Sequence, residues 1–128
     1  MPQYPLTTAA LLLALFVYVG AVMAVGQARG RFKIEAPATT GHPVFERLFR
    51  AQQNTVEQII LFLPVLGLAA ATFGDRVAGS FGLLWSLARI LYIITYAKGA
   101  NRAAGFLLSA GASLAMLIAV GVKLAIGG

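Results

Sequence analysis

The residues best suited to chemistry lie in one run, "FERLFRAQQNTVEQ", from Phe45 to Gln58. On a helix turning about 100° per residue, Arg47, Arg50, Asn54 and Glu57 share one stripe, with Glu46 and Gln53 at its edge. Phe45, Leu48, Phe49, Val56 and Ile59 fall opposite, with Gln52 among them. A later run, "ARILYIITYAKG", offers a second stripe of Arg89, Tyr92 and Tyr96, at helical spacings of three and four. Arginine grips carboxylates, and a carboxylate such as Glu57 accepts hydrogen bonds from an ammonium. Asn54 and Gln52 match amide groups, and tyrosine hydroxyls match peptide carbonyls or a thiol. This inventory fits a small zwitterionic peptide. A purely structural ion pair of Glu57 with Arg89 is the plainer reading, but it leaves Arg50, Asn54, Tyr92 and Tyr96 without a purpose.

The rest of the composition narrows the chemistry. The chain has no cysteine, which excludes a disulfide scaffold, a cysteine nucleophile and thiolate metal sites. Its single histidine argues against a multi-histidine metal site, so no metal is expected. Hydrophobic residues make up 59% of the 128 positions and charged residues only 11%, far from the balance of a soluble domain. The net charge of +6 does not point to nucleic acid, because the basic residues sit at the ends of apolar segments and form no block with interleaved aromatics. The first apolar stretch has no basic residue before it, so it does not read as a signal peptide.

These residues must be positioned by membrane-spanning elements. Four apolar segments, at about 6–28, 44–73, 77–97 and 103–126, each reach the ~20 residues that cross ~30 Å of hydrocarbon. Backbone groups in lipid must be bonded internally, so the segments are expected to be helices, and the fold class all-α: an integral membrane four-helix bundle in a single domain. Short links at 74–76 and 98–102 make helical neighbours antiparallel. Counting back from the first of these, Tyr92 reaches about the depth of Glu57, and Tyr96 that of Asn54, at ~1.5 Å per residue, with Arg89 deeper. Pro64 is expected to kink the second helix. The small residues Gly105, Ala110, Gly111, Ala112, Ala115 and Gly121 permit close helix contact along the fourth. Arg29, Arg31, Lys33, Arg47, Arg50, Lys98 and Arg102 gather around the first and third loops, and only Arg76 and Lys123 lie on the other side. That asymmetry predicts cytoplasmic first and third loops and both termini outside. The absence of long tails and retention signals suggests a bacterial inner membrane.

The second-helix run resembles the signature E-R-x-x-R-A-x-x-N-x-x-E of the membrane-associated proteins in eicosanoid and glutathione metabolism, the MAPEG family, whose members include microsomal glutathione transferases and leukotriene C4 synthases. The first-loop "ARGRF" and the third-helix "ARILYIITYAKG" match the family pattern in order and spacing, so the resemblance covers nearly the whole chain. It implies a homotrimer with glutathione sites between neighbouring subunits, open to the cytoplasmic side. It also implies glutathione-binding roles for Arg29, Arg50, Gln52, Asn54, Glu57, Arg89, Tyr92 and Tyr96. Two departures concern catalysis. Where leukotriene C4 synthases carry a second arginine directly after the position of Arg29, this chain has Gly30, with Arg31 one residue later. The family's fourth-helix arginine aligns with Ala103, beside Arg102. Arg31 and Arg102 are therefore the candidate catalytic residues.

The expected chemistry is that of a thiolate. A free thiol titrates near ~8.5, and a nearby cation lowers that value. Glutathione would bring the nucleophile, an arginine would stabilise its anion, and a lipophilic electrophile or lipid hydroperoxide from the membrane lipid would be attacked. The resulting expectation is a glutathione transferase or peroxidase. The alternative is a non-catalytic membrane scaffold that binds lipid or glutathione. A small four-helix multidrug transporter is a third reading. It would need an acidic residue in the first helix, and "LTTAALLLALFVYVGAVMAVGQA" has none.

Overall fold

The computed structural model describes residues 3–127. Four helices follow in order: α1 (Pro5–Phe32), α2 (Pro43–Phe73), α3 (Asp75–Ala97) and α4 (Ala103–Gly127). All four are long and apolar enough to cross a membrane. Among the described residues, twenty-four large apolar side chains are exposed, as lipid-facing helices require. The core lies between α1, α2 and α3, where Phe62 stacks on Trp85 with ring centroids 4.1 Å apart.

Local chemistry explains the helix ends. α1 runs four residues past its expected end at Ala28, carrying Arg29 and Arg31 in its last turn. Apolar content stops at the bilayer boundary but helix propensity does not, and cations are favourable at the negative end of a helix dipole. Lys33, at φ 55°, then terminates α1 in the left-handed conformation. Pro43 opens α2 as expected, with His42 Nδ1 accepting from the Val44 N–H. α3 starts at Asp75, two residues earlier than the apolar pattern suggested, which leaves Gly74 (φ 87°) as the whole α2–α3 link. Asp75 accepts from the backbone N–H groups of Leu6 and Thr7, at 3.0 and 2.8 Å. One carboxylate thus satisfies two orphan donors of α1 and ties that helix to the α2–α3 corner. α2 continues through Pro64 as one α-helix, although the missing N–H leaves a carbonyl one turn back without its usual donor.

Small residues bring the helices close at three points. A Cβ on Gly79 would lie 2.5 Å from Leu6 Cβ, and one on Gly82 would lie 2.6 Å from Ala10 Cβ. α1 therefore lies directly on α3. Gly105 does the same for α4: a Cβ there would sit 2.5 Å from the Tyr92 backbone nitrogen. The fourth-helix pattern of small residues is used only in part within one chain, because nothing lies within 4 Å of a Cβ at Gly111 or Gly121.

Candidate functional site

α2, α3 and α4 border an open-sided cavity of about 420 Å³ lined by Arg50, Gln53, Asn54, Glu57, Tyr92, Tyr96, Arg102 and Phe106. Each helix supplies one face. α2 contributes its polar stripe through Arg50, Gln53, Asn54 and Glu57. α3 contributes Tyr92 and Tyr96, whose rings meet edge to face at 5.7 Å. The α3–α4 link brings in Arg102, whose guanidinium carbon lies 4.3 Å from the Tyr96 ring centroid. Phe106 stands one helical turn further along and packs against Tyr92 at 6.3 Å. The close approach of Gly105 to Tyr92 is what brings α4 near enough for both.

Six of the ten candidate site residues thus surround one cavity: Arg50, Asn54, Glu57, Tyr92, Tyr96 and Arg102. The other four lie elsewhere. Arg29 donates to the carbonyls of Ala38 (2.8 Å) and Ile34 (3.5 Å), and its guanidinium carbon sits 4.9 Å from the Phe45 ring centroid. In this chain it therefore folds the α1–α2 loop. Arg31 lies over Phe32, at 5.0 Å, and lines a separate depression with Gln27 and Leu48. Gln52 points away from the cavity, half-buried on the opposite side of α2.

Arg89 is fully buried beneath the cavity. Its partners among the described residues are Asn54 Oδ1 (2.8 Å), Thr55 Oγ1 (3.0 Å) and Ser109 Oγ (3.1 Å). The Tyr92 ring centroid stands 4.0 Å from its guanidinium carbon. It pairs with neutral groups, so the structural Glu57–Arg89 pair is absent, and Glu57 is left exposed at the cavity. Residue counting sets Arg89 deeper than Asn54, and its long side chain spans the difference.

The motif's polar residues divide between architecture and cavity. Glu46 accepts from the Gly41 N–H at 3.1 Å, fixing the entry to α2. Arg47 Nε donates to the Ala97 carbonyl at 3.3 Å, tying α2 to the end of α3. Only Arg50, Asn54 and Glu57 then face the cavity, with Gln53. Phe106 was not among the sequence candidates. Its position four residues after Arg102 was the available signal, since that spacing shares a helix face.

The four membrane-length helices, with an arginine- and tyrosine-lined cavity between three of them, define a polytopic membrane bundle with a polar site. The chain matches the MAPEG family over residues 6–122 and belongs to it. A protein of uncharacterised function from Synechocystis sp. is 42% identical over 89% of this chain and 82% of its own length. Microsomal glutathione S-transferase 2 of Homo sapiens is 44% identical, over 77% of this chain and 69% of its own. Leukotriene C4 synthase of Bos taurus is 38% identical, over 73% and 62% respectively.

Proposed function

We propose that this protein is a membrane-embedded glutathione transferase that joins glutathione to lipophilic electrophiles. The observation that carries the reading is the convergence of Arg50, Asn54, Glu57, Tyr92, Tyr96 and Arg102 on one cavity. The similarity to microsomal glutathione S-transferase 2 supports it. Arg50 would hold a carboxylate, Glu57 the ammonium, and Asn54 and the tyrosines the peptide groups. Arg102 would face the sulfur. Of the two candidate catalytic arginines, it alone lines this cavity within the chain, so it takes the role of thiolate stabiliser. The thiol gives up its proton to solvent, and the sulfur lone pair forms a C–S bond to the electrophile. The displaced pair leaves with a leaving group, or remains on an opened oxygen that takes up a proton.

The same thiolate would reduce a lipid hydroperoxide by attacking its terminal oxygen. The O–O bond breaks to release an alcohol, and a second glutathione converts the sulfenic acid to a disulfide and water. Arg29, Arg31 and Gln52, which sit outside the cavity of their own chain, would reach the site of a neighbouring copy in a homotrimer. Turnover tests the reading. Purified protein in detergent with glutathione and a chromogenic aryl halide is expected to form the thioether above the uncatalysed rate. Glutathione binding with no turnover of either aryl halide or hydroperoxide would instead favour the scaffold reading.

A further inference from the structure

We infer that Arg89 is a positioning residue that fixes the direction of the Asn54 amide, so that Asn54 presents its N–H donors, and not its carbonyl, to the bound ligand. This rests on the proposed glutathione site and specifies one contact within it.

A guanidinium only donates, so the Asn54 atom 2.8 Å from Arg89 Nη2 must be the carbonyl oxygen Oδ1. The Asn54 nitrogen therefore points the other way, and Asn54 lines the cavity. The neighbouring hydroxyls cannot reverse this polarity. Thr55 Oγ1 donates to the Ala51 carbonyl at 2.8 Å, and Ser109 Oγ donates to the Gly105 carbonyl at 2.9 Å. Both hydroxyl protons are spent on backbone, so both oxygens are left to accept from Arg89. The three hydrogen bonds from Nη1 and Nη2 thus all run outward from the guanidinium, while its Nε–H is buried without a partner among the described residues. Arg89 is itself fully buried and flanked by Tyr92. An asparagine free to flip could offer either a donor or an acceptor. Locked this way, it offers only donors, which select a carbonyl or carboxylate oxygen over an N–H at that point of the ligand.

This account differs from a direct role for Arg89 as ligand contact or as a source of positive potential, and a double-mutant cycle separates the two. Glutathione affinity would be measured by calorimetry for wild type, Arg89→Met, Asn54→Ala and the double variant. Methionine keeps the length and removes the donors. Each single change is expected to weaken binding about tenfold, the scale of one well-made hydrogen bond in a desolvated site. In the Asn54→Ala background, Arg89→Met is expected to change affinity less than about twofold, because its effect runs through a group already removed. An equal loss in both backgrounds would overturn the inference.

A ligand-independent arm guards against failure of the glutathione reading. Asn54→Asp places a carboxylate against the guanidinium and should raise the thermal midpoint in detergent. A fall would show that Arg89 does not address this atom. If wild type binds no glutathione, the functional reading falls and the thermal arm alone decides the geometry.

Discussion

At the scale of single residues, the site separates groups that would touch the ligand from groups that hold them. Arg102 is the clearest member of the first set, since it lies over Tyr96 and lines the cavity. A cation beside a thiol lowers the thiol pKa, so its removal should move the rate profile to higher pH. Arg102→Met is expected to lower kcat by about 10²–10³ at neutral pH, with partial recovery as pH rises, while glutathione still binds. Rate against pH for the variant and wild type is the check. The stripe of Arg50, Asn54 and Glu57 was readable from spacing alone, because helical geometry puts those positions on one face. The division of labour within the motif was not. Nothing in the order of residues tells that Arg47 reaches a backbone carbonyl of α3, or that Arg89 turns inward to Asn54 and not to Glu57. Those outcomes depend on which partner lies within a side chain's reach, and that is a property of three packed helices.

At the scale of elements, helix existence was legible from hydropathy, whereas helix ends were set by interactions with no hydropathic trace. α1 overruns its apolar stretch because its C-terminal cations suit the dipole, and its N-terminus is capped by Asp75, 68 residues away from Thr7 in sequence. The small residues of α4 looked alike in sequence but are unequal in the fold. Gly105 meets the backbone of Tyr92, whereas Gly111 meets nothing within the chain. Gly105→Ala should therefore force α3 and α4 apart, costing about 1–3 kcal/mol as overpacking does, and should weaken the site by shifting Tyr92, Arg102 and Phe106. Gly111→Ala is expected to leave the chain's own stability unchanged. Thermal midpoints in detergent for the two variants measure the contrast.

At the scale of the whole molecule, the asymmetry of basic residues and the position of the cavity belong together. Arg50, Tyr96 and Arg102 lie towards the α1–α2 and α3–α4 links, the side richer in Lys and Arg. We propose from positive-inside logic that the site opens to the cytoplasmic side, where a soluble peptide thiol would enter. The chain lacks cysteine, so single-cysteine variants report topology without background. Lys33→Cys and Lys98→Cys are expected to be shielded from a membrane-impermeant maleimide in intact cells, and Arg76→Cys to be labelled; the reverse pattern would place the cavity on the outer side.

The central claim is that this cavity binds glutathione, and calorimetry on the purified protein tests it most directly. Wild type should bind, with the ultraviolet absorbance of a thiolate appearing on saturation. Arg50→Ala and Glu57→Ala should each lose most of the affinity, because each would leave one charged end of the peptide unpaired. No binding at millimolar glutathione, or unchanged affinity in both variants, would contradict the account.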